Sequence, residues 1–224
     1  LGPEGLEFTL APPGASEAQR AVFVVEREPN AATAQGELNQ NGQSFPLKLR
    51  RLAPGEAPEA GPKRPQEPKP PFPYAVREAS FTSPVDGVAL AGTLTAPADG
   101  GRHPAVVLLT GSGAQDRDES IMGHKPFLVL ADHLTRNGVV VLRYDDRGVG
   151  GSGGRLDTTS HTTQQRDASA ALTWLQGQPE VDPARVGLIG HSEGANMAIL
   201  TAAADKRVAF IVLLAGMGVS GKEI

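Results

Sequence analysis

The chain has 224 residues, a formal net charge of −4, a hydrophobic share of 39% and no cysteine. This composition fits a globular protein with a real core, and the slightly acidic balance offers no basic field that would attract nucleic acid. The lack of cysteine excludes disulfides, thiolate metal sites and a cysteine nucleophile, but it leaves the compartment open. No apolar run has the length that a membrane span requires. Because the chain begins at Leu1 without a signal-peptide pattern, we expect processing or truncation to have removed the true start.

Residues 1–52 are predicted to form a partial β-rich N-terminal module. Residues 6–10 alternate apolar and polar side chains, and residues 21–25 are a short run rich in β-branched side chains. Residues 34–40 and 43–49 flank Asn41-Gly42, a dipeptide that readily adopts the positive φ angles of a type I′ hairpin turn. About four strands are therefore expected, and we expect the beginning of this module to be missing.

Residues 53–73 are predicted to be a proline-rich linker. Prolines are mixed there with glutamate, lysine and glycine, a composition typical of extended segments with stiff polyproline stretches. A spacer is favoured over a recognition peptide.

From Tyr74 the pattern changes to strands that alternate with helices. Residues 105–109 are a continuous apolar run, typical of a parallel strand that is buried on both faces. Further strands are predicted at 77–83, 87–96, 139–142, 185–189 and 208–214, and helices at 125–136, 162–176 and 193–204. This alternation predicts an α/β fold for residues 74–224, with a mostly parallel sheet flanked by helices.

The segment Gly190-His191-Ser192-Glu193-Gly194 fits G-x-S-x-G, the nucleophile elbow. It stands between a predicted strand and a predicted helix, where the bend exposes the serine hydroxyl. A second match, centred on Ser152, has neither a strand directly before it nor a helix directly after it. Ser192 is therefore the predicted nucleophile.

An elbow serine needs N–H donors for the negatively charged oxygen of the tetrahedral intermediate, and the loss of one donor costs about 3–4 kcal/mol of transition-state stabilisation. One donor usually comes from the loop after the third strand of the sheet. That loop begins Thr110-Gly111-Ser112-Gly113. We predict an oxyanion hole made by the N–H groups of Ser112 and Glu193, with Gly113 as a substitute.

Three motifs occur in order along the chain, at 111–119, 143–148 and 190–194: GSGAQDRDE, RYDDRG and GHSEG. Together they resemble bacterial α/β-hydrolase carboxylesterases that carry an N-terminal β domain, a group related to serine aminopeptidase-like hydrolases. Residues 40–47 are similar to the last hairpin of that β domain. The resemblance implies a serine enzyme that hydrolyses esters with short acyl chains, on an α/β-hydrolase core over residues 74–224.

In that fold the triad follows the order serine, acid, histidine. The five histidines are His103, His124, His133, His161 and His191, so none follows Ser192. We therefore expect a C-terminally incomplete core that lacks the triad acid and histidine, which puts the activity of this polypeptide in doubt. The alternative is that His161 or His124 replaces the usual base, while His191 is expected to be structural.

The remaining charged and glycine-rich motifs have two interpretations each. Asp145, Asp146 and Arg147 brace a loop near the elbow or bind substrate. Gly113, Asp116 and Arg117 are candidates for residues of the pocket. The segment 148–153 fits G-x-G-x-x-G, but no helix begins directly after it. The segment 216–222 fits G-x-x-x-x-G-K, but Glu223 stands where a magnesium-binding Ser or Thr is needed. We therefore expect no nucleotide, metal or other cofactor.

The sequence thus predicts a serine hydrolase that cleaves small-molecule carboxylic esters through an acyl-enzyme on Ser192. Two alternatives remain open: a serine peptidase of the same fold, and a non-catalytic binding protein that uses the same cleft. No nucleic acid partner and no membrane span are expected.

Overall fold

The structure is a computed structural model that describes residues 5–10, 20–26, 31–40, 42–56 and 63–218. The chain divides into two compact units, Leu1–Ala60 and Gly61–Ile224. Their boundary falls inside the predicted linker, 53–73, and the described residues from 63 to 74 form neither helix nor strand. The assignment of 53–73 as a linker stays a prediction.

The N-terminal unit contains a four-stranded antiparallel sheet in the order β1-β2-β3-β4. Its strands are β1 (Gly5–Leu10), β2 (Ala21–Glu26), β3 (Thr33–Gln40) and β4 (Gln43–Arg50). Phe8 and Phe23 stack across the first pair with ring centroids 4.5 Å apart. The predicted hairpin is present with Gln40 opposite Gln43, and Gly42 has a φ of +70°, but Asn41 lies outside the described residues. The β-rich character predicted for this region is confirmed.

In the residues that the structure describes, the second unit has one six-stranded sheet and three helices. The strands are β5 (Ala75–Thr82), β6 (Ala89–Ala96), β7 (His103–Leu109), β8 (Val140–Tyr144), β9 (Val181–His191) and β10 (Ile211–Leu214), and the helices are α1 (Pro126–Arg136), α2 (His161–Gln176) and α3 (Glu193–Ala204). The strand order is β10-β9-β7-β8-β6-β5. Strands β7 to β10 pair in parallel, whereas β5 and β6 form an antiparallel hairpin at one edge. The predicted α/β class is confirmed.

Helices cover both faces of this sheet, which explains why its central strands are apolar along their whole length. On one face, Phe127 and Ala131 of α1 pack against Val106 and Leu108 of β7. On the other face, side chains of α2 and α3 pack against strand residues that alternate with those of the first face. The helix residues are Leu172, Leu175 and Ala198, and the strand residues are Val107, Leu142 and Leu188. This double cover holds the carboxyl ends of β7 and β9 side by side.

Two of the helices begin at residues that favour a helix N-terminus. Pro126 occupies the first turn of α1, where its missing N–H has no cost. The Ser160 hydroxyl accepts a hydrogen bond from the Thr163 N–H and so caps α2. Helix α3 has no side-chain cap; it starts directly after Ser192, which stands at the N-cap position. The segment predicted to be the nucleophile elbow is therefore also the start of a helix.

Candidate active site

Ser192 lies on a strained bend between β9 and α3. Its φ is +52° and its ψ is −116°, a backbone conformation that costs a non-glycine residue about 1–3 kcal/mol. Its N–H donates to the Leu214 carbonyl of β10 at 2.8 Å. The surrounding sheet therefore holds the serine in a conformation that the chain would not adopt by itself.

The two glycines of the elbow, Gly190 and Gly194, lie in close contact with neighbouring backbone atoms. A Cβ atom at Gly190 would overlap the Gly194 carbonyl, and one at Gly194 would overlap the Leu109 and Thr110 carbonyl oxygens. The start of α3 thus lies directly against the end of β7. This contact brings the elbow next to the loop of residues 110–115, which we call the oxyanion loop.

Ser192, Ser112 and Glu193 line one open cleft with a volume of about 670 Å³. Ser112 comes from the oxyanion loop, and Glu193 is the first residue of α3. In the part of the chain that the structure describes, the N–H groups of Ser112 and Glu193 have no hydrogen-bond acceptor. The cleft is otherwise mostly apolar, and its other lining residues are His161, Asn196, Met197, Ile199, Leu200, Ala215 and Met217. The structure thus brings the predicted nucleophile and both predicted donors together.

The other predicted pocket residues lie elsewhere. Gly113 belongs to the oxyanion loop, with a φ of +92°, but it does not line the cleft. The Arg117 guanidinium is held by Asp145 at 2.8 Å and by Glu78 at 2.8 Å. The Asp116 carboxylate accepts the N–H groups of Asp118 and Ser120, both at 3.0 Å. Asp116 and Arg117 are therefore engaged in shaping the loop 115–120, and the structure places them away from the cleft that contains Ser192.

The acids and the arginine at 145–147 all contact neighbouring loops. Asp145 accepts hydrogen bonds from the Arg117 side chain and from the Gly151 N–H. Burial opposes its ionisation, but the hydrogen bonds from Arg117 and from backbone N–H groups outweigh this and hold the pKa of Asp145 below its usual value. The Arg147 guanidinium pairs with the buried Asp167 and with Asp86. These contacts support the bracing interpretation.

Asp146 holds both ends of the oxyanion loop. Its carboxylate accepts the Thr110 hydroxyl at 2.9 Å and the Gln115 N–H at 3.0 Å. It also lines a small cavity of about 40 Å³ that shares Glu193 and Met197 with the cleft. Burial raises the pKa of Asp146 to about 6, although its two hydrogen bonds act in the opposite direction.

Glu119 connects the oxyanion loop to the elbow. One oxygen of its buried carboxylate accepts the Gly111 N–H at 2.7 Å and lies 2.8 Å from His191 Nδ1. We call these two contacts the Glu119 bridge. Sequence reasoning assigned no role to Glu119, because it ends a run of charged residues that is equally typical of a solvated loop. Its burial, with 4% of its surface exposed, is the signal that was missing.

The histidines fall into different surroundings. His191 pairs with Glu119, as a structural role would require. His161 lines the cleft, and its Nε2 lies 2.7 Å from a carboxylate oxygen of Glu193. The Nδ1 atom of His124 is buried and has no partner among the described residues. Within the same residues, no imidazole is hydrogen-bonded to the Ser192 hydroxyl.

The other glycine-rich motifs serve local structure. The Ser152 hydroxyl donates to the Asp145 carbonyl at 2.7 Å and accepts the Ala91 N–H at 3.0 Å, so this buried serine is fully occupied. The residues of 216–222 beyond Gly218 lie outside the described part of the chain. In the described ranges, no helix has the length and apolarity needed to cross a membrane, and no group of three or more His, Asp or Glu side chains could hold a metal ion.

Known proteins are similar to parts of this chain in sequence and in fold. An uncharacterised protein of Mycobacterium tuberculosis is 39% identical over 114 residues, 51% of this chain and 37% of that protein. Esterase EstD of Thermotoga maritima is 38% identical over 109 residues, 47% of this chain and 25% of the esterase. The crystal structure of the α/β hydrolase GrgF from Penicillium sp. sh18 superposes with a TM-score of 0.55 and 28% identity, over 63% of this chain and 46% of that one. The chain thus spans less than half the length of each of these relatives.

The family model of the X-Pro dipeptidyl-peptidase (S15 family) matches residues 86–222. This range is more than half of the chain, and it contains the oxyanion loop, the Asp145–Arg147 segment and the elbow. The chain therefore belongs to the X-Pro dipeptidyl-peptidase (S15) family, and its second unit has the α/β-hydrolase fold.

Proposed function

We propose that this chain carries the nucleophile of a serine hydrolase that cleaves carboxylic esters through an acyl-enzyme on Ser192. The observation that carries the proposal is the position of Ser192. It stands at a positive φ angle in a cleft that Ser112 and Glu193 also line. A strained serine beside two N–H donors is the arrangement that acyl transfer requires.

In this mechanism the Ser192 hydroxyl attacks the ester carbonyl, and its proton passes to a base. The carbonyl oxygen becomes an oxyanion that accepts hydrogen bonds from the N–H groups of Ser112 and Glu193. The tetrahedral intermediate collapses, the alcohol leaves with the proton from the base, and an acyl ester on Ser192 remains. Water then attacks this ester and gives a proton to the base, while the same N–H groups bind the oxyanion. The carboxylic acid leaves, and the base returns the proton to the Ser192 oxygen. The apolar wall of the cleft, with Met197 and Leu200, suits an acyl group.

The general base that accepts the proton of Ser192 has two candidates. The family order places the histidine after the serine, and no histidine follows Ser192 in this sequence. We propose that the base and its acid come from outside these residues. His161 is the alternative, because it is the histidine that lines the cleft.

A peptidase of the same fold is the second candidate function, and membership of the X-Pro dipeptidyl-peptidase family favours it. The similarity to an esterase from Thermotoga maritima favours ester hydrolysis. The elbow geometry suits both reactions, because esters and amides pass through the same kind of tetrahedral intermediate. A non-catalytic protein that binds a ligand in the cleft is the third candidate.

The first test is labelling with a fluorophosphonate probe together with turnover of p-nitrophenyl acetate and of Gly-Pro-p-nitroanilide. Ser192→Ala is expected to abolish labelling and to lower turnover at least about 10³-fold. Ser152→Ala is the matched control, since Ser152 is the central serine of the other G-x-S-x-G match, and it should keep both. Faster cleavage of the anilide than of the acetate would favour the peptidase.

Two further outcomes separate the remaining alternatives. Labelling that disappears in His161→Gln but persists in His133→Gln would identify His161 as the base. A folded wild-type chain that neither labels nor turns over either substrate would exclude His161 as the base. The same result when a base from outside these residues is also present would contradict the proposed function and leave the binding protein.

A further inference from the structure

The Glu119 bridge joins the two segments that supply the proposed oxyanion hole. Gly111 directly precedes Ser112, whose N–H is one proposed donor. His191 directly precedes Ser192, and Glu193 follows it. The same carboxylate oxygen of Glu119 lies 2.7 Å from the Gly111 nitrogen and 2.8 Å from His191 Nδ1. One side chain therefore contacts a residue at the start of each half of the site.

The local geometry shows how close these two segments are. A methyl group built at Gly111 would lie 3.1 Å from the Glu119 oxygen, 3.3 Å from His191 Nδ1 and 3.4 Å from Ser192 Cβ. The oxyanion loop therefore lies directly on the elbow at Gly111. The Ser112 N–H belongs to the next peptide plane, so a change in φ of Gly111 that its ψ does not compensate also turns the Ser112 N–H.

Glu119 itself is held firmly. It is buried, and its backbone adopts a φ of +52°, a conformation that surrounding structure must impose on a non-glycine residue. Its N–H donates to the Asp116 carbonyl at 2.9 Å. The loop is anchored further by Asp118, which pairs with the buried Arg143 of β8. The carboxylate is thus presented from a fixed backbone, and it engages the Gly111 N–H so that this group is not itself a donor to the oxyanion.

We propose that Glu119 is the positioning residue of the oxyanion hole: its buried carboxylate holds the Gly111 N–H and the His191 imidazole so that the Ser112 and Glu193 N–H groups converge on Ser192 before substrate binds. This inference rests on the proposed function, because it assigns a role within that site. Since a carboxylate only accepts hydrogen bonds, His191 keeps its proton on Nδ1. Glu119 does not line the cleft, so it acts through the two residues that it holds.

The test compares Glu119→Ala and Glu119→Gln with the wild-type chain, and uses Asp132→Ala as the matched control. Asp132 also accepts from two partners, the Tyr74 hydroxyl at 2.7 Å and the Arg136 guanidinium at 2.9 Å, but it lies on α1, away from the elbow. The glutamine side chain in E119Q would keep an acceptor oxygen without the charge, so it should restore part of what alanine removes. A misplaced donor lowers kcat about 10²-fold. We expect that loss in E119A, about a 10-fold loss in E119Q, KM within about 3-fold in both, and no loss of kcat in D132A.

A second measurement does not depend on turnover. Hydrogen–deuterium exchange of the peptide that contains residues 110–115 should become faster in E119A, less so in E119Q, and remain unchanged in D132A. If E119A fails to fold, E119Q alone carries both measurements. Unchanged exchange at 110–115, or faster exchange with unchanged kcat and phosphonate labelling, would overturn the positioning role. By contrast, a wild-type chain that lacks both labelling and turnover would count against His161 as the base and not against the positioning role, which the exchange data test separately.

Discussion

At the scale of single residues, Asp145 and Asp146 are neighbours with opposite electrostatic surroundings. Asp145 accepts hydrogen bonds from the Arg117 guanidinium and from two backbone N–H groups, which hold its pKa below the usual value despite burial. Asp146 forms no ion pair with any described residue, and burial raises its pKa from 3.8 to about 6. The same side chain one position apart therefore makes opposite contributions to the dependence of stability on pH.

Asp146→Asn is expected to remove a pH dependence of stability. Because the folded-state pKa of Asp146 lies above its unfolded value, the stability linked to its protonation is present below about pH 4 and is lost as the pH rises through about 6. The two pKa values differ by an amount that corresponds to about 3 kcal/mol. The free energy of unfolding of D146N relative to wild type should therefore rise by about 2–3 kcal/mol between about pH 4 and pH 7, measured by urea unfolding.

The neighbouring acid provides the control for that experiment. Asp145→Asn should be destabilising throughout about pH 4–7, because a carboxylate with a lowered pKa stays ionised in the folded state over that range. The opposite slope for D146N, or no difference between the two variants, would mean that burial does not control the titration of Asp146.

At the scale of elements, the contact between α3 and β7 positions the site. The first turn of α3 lies against the last residues of β7, and this close approach depends on Gly194. If the first turn of α3 lay farther from β7, the Glu193 N–H would also lie farther from the oxyanion loop. The glycine is therefore needed for the close approach of α3 to β7, and through it for the proposed oxyanion hole.

Gly194→Ala is expected to destabilise the fold and to impair the site together. The added methyl group would overlap the carbonyl oxygens of Leu109 and Thr110, and overpacking of this kind costs about 1–3 kcal/mol. Thermal unfolding should report a lower Tm, and phosphonate labelling of Ser192 should slow. Gly218→Ala, where no described atom lies within 4 Å of the added methyl group, should change neither; an unaltered Tm in G194A would contradict the close contact.

At the scale of the whole second unit, a buried ion pair connects distant segments around the sheet. Arg147, in the loop after β8, pairs with Asp167 of α2 and with Asp86 in the turn between β5 and β6. Its guanidinium also donates to the buried Ser83 hydroxyl at 2.7 Å. Both Arg147 and Asp167 have only 5% of their side-chain surface exposed, so their charges are compensated almost entirely by each other and by these neighbours.

Asp167→Asn should therefore cost about 3–5 kcal/mol, because it leaves a buried guanidinium without its main partner. The double variant Arg147→Met, Asp167→Leu should lose less than the single one, since it removes both charges. Urea unfolding of the single and double variants measures this difference. The exposed pair of Arg155 and Asp157 is the comparison, and D157N should be close to wild type; equal losses in D167N and the double variant would show that packing dominates over charge.

The sequence by itself determined the elements and the identity of the candidate nucleophile. Continuous apolar runs predicted β7 and β8, helical periodicity predicted α1, and the G-x-S-x-G match between a strand and a helix singled out Ser192 over Ser152. These features are encoded within a few consecutive residues, through side-chain periodicity and turn chemistry. They can therefore be predicted without knowledge of the fold.

Only the tertiary structure decided which side chains meet. Glu119 and His191 are separated by 72 positions, yet they share a hydrogen bond. Asp145 and Asp146 are adjacent in one charged segment, yet Asp145 pairs with Arg117 whereas Asp146 accepts hydrogen bonds from Thr110 and Gln115. Such contacts follow from the order in which strands join the sheet and from the helices that cover it, and their energies depend on burial. The amino-acid composition of a loop gives neither the contacts nor the burial. The Glu119 bridge and the raised pKa of Asp146 could therefore be found only in the folded structure.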